Sequence, residues 1–489
     1  MSEFDKDLRS IQEARHLSTN AFSAWKEWLS ATQEQVDRVC AAMTTVALDA
    51  SERLGILAYE ETGYGVPEHK RLKNEFASRN VWESIKDLRT VGIIGYDPVK
   101  KVYEIAWPIG VIAGLTPSTN PTSTVMYKIL VAVKARNAIV IAPHPAAAKC
   151  CYETARIMAL AAKQNGAPEG LISCMQNISL KGTQELMHHK YVALILATGG
   201  TPMVRAAHST GKPAIGVGPG NVPVYVDRSA DLEKAARYIV ASKAFDHSTI
   251  CATEQSAVAD APIAKKLKVL MEQEGAYFTN PQETELLRQL LFHPDGTMNT
   301  SVVGKSAEYV AGMAGITLPR GTRIIVTPLK ITGKDEPLSR EKLTTVLGWY
   351  EEEGWEAGCE RCIELIQFGG RGHSLIIHAT DEKVIMAFGL EKPVFRIGVN
   401  TLGTLGAIGL TTGVMPSMTL GAGGVGGSIT GDNITAHHLM NIKRLAYELS
   451  PPPAAAMVPG QPKPNPSPIE IEKAVRNAVE EILNIRSNR

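Results

Sequence analysis

Hydrophobic residues recur with a helical period through the first part of the chain. The clearest runs are Ala21–Leu29 and Val36–Leu48, where apolar positions return about every three to four residues. Ser30 and Thr32 stand where a helix cap is expected. The pattern over residues 7–87 therefore predicts a set of helices that leads into a larger domain.

The period then changes, and short apolar runs alternate with helical ones. The runs that predict strands are Val91–Ile94, Val102–Ala106, Gly110–Gly114, Ala138–Ala142, Leu171–Met175, Ala193–Ala197 and, last in the series, Val222–Val226. The runs that predict helices are Val125–Lys134, Ala146–Asn165, Gly182–His188 and Pro202–His208. Alternation of this kind is typical of a doubly wound parallel sheet, so we expect an α/β fold.

A second α/β section follows and extends to about Val399. A long helix over Leu232–Phe245 leads to a segment in which Cys251 is expected to open a strand. Further helices are predicted at Ala264–Gly275, Pro281–Leu291 and Gly358–Phe368, and further strands at Arg323–Thr327 and Ser374–His378.

The C-terminal segment differs in kind. Residues 451–468 are rich in Pro and Ala and predict an extended linker. Ser467-Pro468-Ile469-Glu470 is a capping-box pattern, and the apolar positions of 469–489 fall on one helical stripe. Because about five helical turns alone in water are only marginally stable, this stripe needs a surface to pack against.

Composition excludes several classes of protein. The 51 basic and 50 acidic residues balance, so no nucleic-acid surface is indicated. Ile397–Gly431 is uncharged, but its glycines and Pro416 favour loops and short strands over a membrane span. The seven cysteines are scattered and Met1–Arg9 has no apolar signal core, so we expect free thiols in a reducing cytoplasm. Cys359 and Cys362 would share one helix without a second pair, so we expect no metal site.

Four polar or glycine-rich segments are candidates for chemistry. Cys251 lies on a loop near a helix end, where a thiol is accessible as a nucleophile, although a lone Cys is more often a buried hydrophobe. Asn120 follows a strand end and either stabilises an oxyanion or forms an Asn-Pro turn. Thr198–Thr201 either binds phosphate through backbone amides or is a plain tight turn. Gly216–Asn221 permits close backbone approach or a sharp turn.

Taken in order, these segments resemble the aldehyde dehydrogenase superfamily over roughly residues 10–450. The segments that resemble its Asn loop, cofactor turn, nucleophile segment and Glu-Pro-Leu segment near the nicotinamide ribose are, in turn, Pro108–Pro121, Thr198–Gly200, Phe245–Gln255 and Glu336–Lys342. The resemblance implies a doubly wound cofactor-binding domain, an α/β catalytic domain and a small oligomerisation element. Their expected bounds are 1–226 for the NAD-binding domain with an oligomerisation hairpin at 91–106, 227–415 for the catalytic domain, and 416–450 for a return to the cofactor domain with an oligomerisation strand.

Within the superfamily, the details resemble the CoA-acylating branch, which includes acetaldehyde and propanal dehydrogenases. His144 stands where hydrolytic members carry a Lys for the cofactor ribose, and Gly216–Asn221 stands where they carry their catalytic Glu. His373 matches a Gly-His-Ser/Thr feature of the branch and either lines the site or is a structural His. The site residues that the resemblance implies are Cys251 and Asn120 for catalysis, Thr116, Pro117, His144, Thr198, Gly199, Gly200, Gly218 and Glu336 for cofactor binding, and His373 and Ile250 for lining the site.

The implied reaction begins with addition of the Cys251 thiolate to a short aldehyde. Asn120 and the Cys251 N–H would stabilise the oxyanion, and hydride transfer to NAD would leave a thioester that coenzyme A removes. Asp246 and His247 are candidates for tuning the pKa of the thiol. The alternatives are a hydrolytic, CoA-independent enzyme with Glu336 as base, and an idle scaffold whose tail recruits partners.

The identity of the aldehyde is open at this point. Acetaldehyde and propanal are favoured, succinate semialdehyde and sulfoacetaldehyde are alternatives, and NAD is favoured over NADP by the family alone. The resemblance also implies a homodimer or a dimer of dimers. Residues 469–489 resemble the encapsulation peptides of bacterial microcompartment enzymes, which would place the protein with shell proteins inside a microcompartment of the bacterial cytoplasm. Docking on its own subunit or a role in oligomer formation are the alternatives for this segment.

Overall fold

The computed structural model describes residues 5–453 and 466–487. Most of the predicted linker at 451–468 therefore lies outside the described residues. The chain divides into a large unit, Met1–Gly95 with Glu104–Arg444, and a small unit, Tyr96–Tyr103 with Leu445–Arg489. Within the described ranges, none of the helices has both the length and the apolar character needed to cross a membrane.

The secondary structure follows the predicted alternation of elements. The α-helices are α1 (Lys6–Trp28), α2 (Gln33–Asp49), α3 (Ser51–Thr62), α4 (Pro67–Glu75), α5 (Val81–Ile85), α6 (Pro121–Lys134), α7 (Ala148–Gln164), α8 (Leu180–His188), α9 (Thr201–His208), α10 (Leu232–Ala244), α11 (Ala261–Gln273), α12 (Pro281–Leu291), α13 (Ala307–Ala314), α14 (Gly354–Phe368), α15 (Glu382–Glu391), α16 (Gly403–Gly406) and α17 (Pro468–Ser487). The strands are β1 (Gly92–Asp97), β2 (Val102–Pro108), β3 (Val111–Thr116), β4 (Ala138–Pro143), β5 (Ile172–Cys174), β6 (Val192–Thr198), β7 (Ala214–Val217), β8 (Val222–Val226), β9 (Glu254–Asp260), β10 (Ala276–Phe278), β11 (Ile324–Pro328), β12 (Val346–Glu352), β13 (Leu375–His378), β14 (Ile397–Val399) and β15 (Met440–Ala446). The mixed α/β class with parallel sheets is confirmed.

Of the two residues expected to cap a helix near the start of the chain, one caps α2. Thr32 caps α2 in a reciprocal capping box with Gln35, which satisfies two backbone N–H groups at the helix start. Ser30 is not a cap, because its hydroxyl donates to the carbonyl of Glu27 at the end of α1. The prediction for Thr32 is confirmed and that for Ser30 is wrong.

A five-stranded sheet carries the first group of strands. Its order is β5-β4-β3-β6-β7, and all four pairings are parallel. The order reverses between β3 and β6, so the chain leaves their carboxyl ends in opposite directions. A crevice at such a point is where open α/β sheets bind ligands. Strand β7 was missed because it is only four residues long and contains Gly216.

A seven-stranded sheet carries the second group, in the order β10-β11-β12-β9-β8-β13-β14. The prediction that Val222–Val226 closes the first sheet is wrong, because β8 pairs with β9 and β13 in this second sheet. The expected domain boundary after residue 226 therefore does not separate the two sheets. Cys251 does not open a strand either, since a turn closed by Thr253 N–H on the carbonyl of Ile250 precedes β9.

The third sheet has the order β1-β2-β15. In the small unit, the rings of Tyr96 and Tyr103 stack with their centroids 4.3 Å apart, and Tyr447 N–H donates to the carbonyl of Lys101. Helix α17 starts at the predicted capping box, in which the Glu470 N–H donates to the Ser467 hydroxyl and the Ser467 N–H donates to the Glu470 carboxylate.

Candidate active site

A left-handed turn delivers the nucleophile segment from the end of α10. Asp246, His247 and Ser248 have φ values of 46°, 50° and 66°, a region that side-chain-bearing residues rarely occupy. Each such residue costs on the order of 1–3 kcal/mol, so the surrounding contacts must hold the turn in place. The turn places Thr249, Ile250 and Cys251 between the two large sheets.

The carboxylate of Asp246 supplies those contacts. It is fully buried and accepts hydrogen bonds from Lys70, Lys73, the Thr249 hydroxyl and the backbone N–H of Val66. Burial would raise the pKa of Asp246, but the two lysines, Lys73 foremost, outweigh it and lower that pKa to about 2. The carboxylate is therefore ionised across the working range of pH, and it ties the turn to α4.

Of the seven cysteines, all within the described residues, Cys251 alone is partly exposed as a residue, and the other six are buried. Its sulfur lies 3.3 Å from Nε2 of His373. Burial and, next, the charge of Glu341 raise the pKa of Cys251 to about 12, although Arg396 and the N–H groups of Cys251 and Ala252 lower it. The group is thus a protonated thiol at rest and needs a base to become a nucleophile.

His373 is placed to be that base. Burial and, next, Arg396 lower the pKa of His373 to about 3, so the ring is neutral at physiological pH. Its Nδ1 lies 3.1 Å from the hydroxyl of Ser374, and a proton on Nδ1 leaves the Nε2 lone pair facing Sγ of Cys251. Asp246 and His247, our candidates for tuning the thiol, act elsewhere: His247 Nδ1 bonds the carbonyl of Gly304.

Asn120, which follows a strand of the five-stranded sheet, contacts the nucleophile segment. It is the N-cap residue of α6, in the loop that follows β3, and is 8% exposed. Its Nδ2 donates to the carbonyl of Thr249 at 2.9 Å, two residues before Cys251, while its Oδ1 accepts from Lys73 at 2.6 Å. Its second Nδ2–H donates to the Thr119 hydroxyl at 3.3 Å, so an oxyanion beside Cys251 would be stabilised by exchange of this longer bond for one to the substrate oxygen.

A cleft of about 1160 Å³ has His373, the neighbour of the Cys251 sulfur, in its wall. It is lined on one side by α9 and on the other by the loops that carry Gly218, Glu341 and His373. Its cations are Arg205, Arg340 and Arg371, its aromatic residues are Phe292 and Phe368, and glycines line it at Gly369, Gly370, Gly426 and Gly427. A cleft of this size with several cations accommodates a large phosphorylated ligand.

Gly220 lies against three residues of the site: Glu341, Cys251 and His373. Its N–H donates to Glu341 at 2.9 Å, and a Cβ built on it would lie 2.2 Å from the carbonyl oxygen of Cys251 and 3.0 Å from the ring of His373. A side chain at this position therefore cannot be accommodated. Burial raises the pKa of Glu341 to about 7, opposed by the Gly220 N–H. Glu341 was missed from sequence, although it falls within the Glu336–Lys342 segment.

Most of the predicted cofactor residues lie at the carboxyl edge of the five-stranded sheet. Thr116 ends β3, Pro117 follows it, and the backbone N–H of His144 after β4 donates to the carbonyl of Thr116 at 3.1 Å. Thr198 ends β6, and its hydroxyl lies 3.1 Å from that of Thr419. Gly199 follows, and Gly200 caps α9 without a side-chain hydrogen bond to the helix N–H groups. This edge lies beside the β3–β6 crevice, where a dinucleotide is expected.

Two predicted residues have other contacts. Glu336 forms a two-point ion pair with Arg288, at 3.0 and 2.6 Å, and accepts the N–H of Leu338. It does not line the cleft, which Glu341 does. Ile250 is 1% exposed and packs in the core directly before Cys251.

Comparison with known proteins identifies the class of protein that this fold and site define. The aldehyde dehydrogenase family model matches residues 6–277. The succinate-semialdehyde dehydrogenase (acetylating) of Clostridium kluyveri is 37% identical over 88% of this chain and 95% of its own length. Aldehyde-alcohol dehydrogenase 2 of Entamoeba histolytica is 40% identical over 89% of this chain but only 51% of its own length, so the chain spans about half of that relative. The chain belongs to the aldehyde dehydrogenase family, which confirms the resemblance.

Solved structures of an acetylating aldehyde dehydrogenase and of two propionaldehyde dehydrogenases are similar to this chain. An acetylating aldehyde dehydrogenase from Geobacillus thermoglucosidasius has a TM-score of 0.91 and 48% identity over 92% of this chain and 99% of its own. Propionaldehyde dehydrogenase of Rhodopseudomonas palustris, solved with bound CoA and an acylated cysteine, has a TM-score of 0.82 and 28% identity over 89% and 97%. A propionaldehyde dehydrogenase from a fucose-utilisation microcompartment of Clostridium phytofermentans has a TM-score of 0.80 and 26% identity over 91% and 98%.

Proposed function

We propose that this protein oxidises a short aldehyde to its acyl-CoA, using NAD and coenzyme A, through a thioester on Cys251. The observation that carries the proposal is the contact of the Cys251 sulfur with a neutral His373, which lines a large cleft that also holds three arginines. The relatives whose names include "acetylating" and the CoA-bound neighbour support it.

In the first half of the reaction, His373 accepts the thiol proton at Nε2 as the Cys251 sulfur adds to the aldehyde carbon. The oxygen of the adduct becomes negatively charged, and the Asn120 Nδ2–H and the backbone N–H of Cys251 stabilise it. Bound NAD supplies the hydride acceptor. The adduct collapses to a thioester, and His373 holds the proton that left the sulfur.

In the second half, the thiol of coenzyme A adds to the thioester carbon and expels the Cys251 sulfur. His373 first releases to solvent the proton that it took from Cys251, and this proton is a product together with NADH. The entering thiol then gives its proton to His373 and the leaving sulfur regains it, so the half-reaction is balanced without water as a reactant. The cations Arg205, Arg340 and Arg371 would bind the phosphates of this co-substrate. We expect NADH to leave before coenzyme A enters, in a ping-pong order.

The residues at the sheet edge fit a dinucleotide. Thr198, Gly199 and Gly200 precede α9, whose first N–H groups have no side-chain cap, so they can bind phosphate. Thr116, Pro117 and His144 would contact the ribose side, Gly218 permits close approach, and Glu341 is better placed than Glu336 to bind a ribose hydroxyl. We propose NAD as the cofactor on family grounds, with NADP as the alternative.

A hydrolytic reaction is the second candidate, and one observation favours it. Glu341 lies in the cleft with a pKa of about 7 and could activate water, which Glu336, paired with Arg288, cannot.

The test is to assay acetaldehyde, propanal, succinate semialdehyde and sulfoacetaldehyde with NAD, with and without coenzyme A. Acyl-CoA formation and NADH turnover that needs coenzyme A are expected. Multiple turnovers to the free acid without coenzyme A would refute acylation and favour hydrolysis. The preferred aldehyde, which we propose to be acetaldehyde or propanal, is read from the same panel.

We also propose that the C-terminal helix is an encapsulation peptide in a bacterial microcompartment, on a homodimeric or dimer-of-dimers enzyme. Ile469, Ile471 and Val475 on α17 are exposed, as an unpartnered docking stripe would be, and one neighbour comes from a microcompartment. Deletion of residues 451–489 should leave the rate unchanged and abolish co-localisation with shell proteins. If the deletion changed the oligomeric state or the activity instead, the helix would serve its own enzyme.

A further inference from the structure

A buried lysine contacts the side chain that is expected to stabilise the oxyanion. Lys73 on α4 is 2% exposed, and its Nζ donates to Oδ1 of Asn120 at 2.6 Å and to the Thr249 hydroxyl at 3.3 Å, besides pairing with Asp246. Lys73, Asn120 and Thr249 belong to three separate parts of the chain, so this contact is a product of the fold alone.

The contact leaves the Asn120 amide with one orientation. Lys73 can only donate and the Thr249 carbonyl can only accept, so Oδ1 must face the lysine and Nδ2 must face the nucleophile segment. If the amide were rotated by half a turn, it would present a carbonyl oxygen to the Thr249 carbonyl and to any negative charge beside Cys251.

Charge acts in the same direction as geometry. Behind the amide, Lys70 and Lys73 face the single carboxylate of Asp246 in a buried cluster. Burial lowers the pKa of Lys73 to about 7, opposed by Asp246, so Lys73 is charged at and below neutral pH. In its charged form, Lys73 polarises the amide through its bond to Oδ1 in a region of low dielectric constant, which increases the donor strength of Nδ2–H towards a developing oxyanion.

We propose that Lys73 is a positioning residue for the oxidation step: it fixes and polarises the Asn120 amide that stabilises the oxyanion formed at Cys251. The proposal rests on the function proposed above, because it concerns the same oxyanion. It assigns to Lys73 a role that differs from the ion pair with Asp246, which any buried cation could form.

Lys70 provides the matched control. It is also 2% exposed, lies on the same helix and pairs with the same oxygen of Asp246. However, its remaining hydrogen bond goes to the backbone carbonyl of Thr119, at 3.4 Å, and not to the Asn120 side chain. Replacement of either lysine therefore removes a buried ion pair with the same oxygen, the Lys73 pair being the shorter, whereas only replacement of Lys73 releases the amide.

The experiment compares Lys73→Met with Lys70→Met in the full chain. The readouts are the rate of the NADH burst in the absence of coenzyme A, the KM for the aldehyde, the thermal midpoint and the rate at which iodoacetamide alkylates Cys251. We expect Lys73→Met to slow the burst by about 10- to 100-fold more than Lys70→Met does, a part of what removal of an oxyanion donor costs. KM and alkylation should differ little between the two variants. Equal slowing in both would overturn the proposal.

A double substitution tests the role of Lys73 independently. In an Asn120→Ala background, Lys73→Met should slow the burst little further, because the amide that it positions is gone; a full additional loss would overturn the proposal. If Lys73→Met fails to fold, Lys73→Gln and Lys70→Gln are compared by the same criterion. A wild-type burst without acyl-CoA formation would refute acyl transfer alone. Absence of any wild-type burst with the aldehyde panel would refute the proposed function and this inference together.

Discussion

The most direct test of the chemistry is replacement of His373 by Ala. The pKa of the Cys251 thiol is raised to about 12, so formation of a free thiolate at pH 7 would cost roughly 7 kcal/mol, at 1.36 kcal/mol for each pH unit. His373, at 3.3 Å from the sulfur, accepts the proton as the sulfur adds to the aldehyde, and the negative charge that develops in the adduct stabilises the imidazolium and offsets its low resting pKa. A well-placed general base is worth about 10²- to 10⁴-fold, and we expect the NADH burst of His373→Ala to slow by that factor.

The dependence on pH separates loss of a base from general damage. In the wild-type enzyme, His373 is neutral above its pKa of about 3, so the burst should vary little with pH across the neutral range. In the variant, the thiolate must form by itself, and its fraction rises about tenfold per pH unit below the pKa of the thiol, so the rate should rise with that slope. The assay is a stopped-flow NADH burst between pH 6 and pH 9.

His378→Ala is the matched control. His378 is also a buried imidazole, it ends the same strand β13 that follows His373, and burial likewise lowers its pKa, to about 4. It faces Tyr238 rather than Cys251. If His373→Ala reacted as fast as the wild type at pH 7, or if both variants lost the same factor with flat pH profiles, His373 would not be the base.

Three further predictions follow from the same contacts. Cys251→Ser should abolish NADH production, because an alkoxide is far harder to form than a thiolate; full turnover would contradict the thioester. Glu341→Gln should raise the KM for NAD, whereas Glu336→Gln should lower the free energy of unfolding by about 1–3 kcal/mol through loss of the Arg288 pair; the reverse result would restore Glu336 as the ribose ligand. Burial raises the pKa of Glu254 from 4.5 to about 7, so the unfolded state ionises first and stability should fall by about 3 kcal/mol as the pH rises from 4.5 to 7. Glu254→Gln should flatten that part of the denaturation curve, and an unchanged slope would show that other groups cause it.

Elements with a strong local pattern were predictable, and their assembly was not. The bounds of α12 and β8 agree with the sequence patterns, because Asn280 and Pro281 mark a helix start and Val222–Val226 is a short apolar run. Which sheet β8 joins was predicted wrongly, since a strand that is buried on both faces has the same pattern in either sheet.

The residues of the candidate site also differ in whether the sequence predicts them. Cys251, Asn120 and Asp246 stand in recognisable segments and His373 in a recognisable motif, but the lysine behind the amide comes from a distant position. Nothing in the polar sequence around Lys73 marks it as buried, because its partner Asp246 lies 173 residues further along the chain. The left-handed turn at Asp246 is also invisible locally, since it contains no glycine.

The strained turn before the nucleophile has a consequence for the order of folding. Its three left-handed residues have no local reason to adopt that shape, and the carboxylate that holds them needs lysines from α4, near the start of the chain. A fragment that begins at residue 227 would contain the nucleophile without its anchors. The segment that carries Cys251 can therefore adopt its native conformation only after the N-terminal helices have docked. Until then, the nascent chain does not carry the assembled nucleophile.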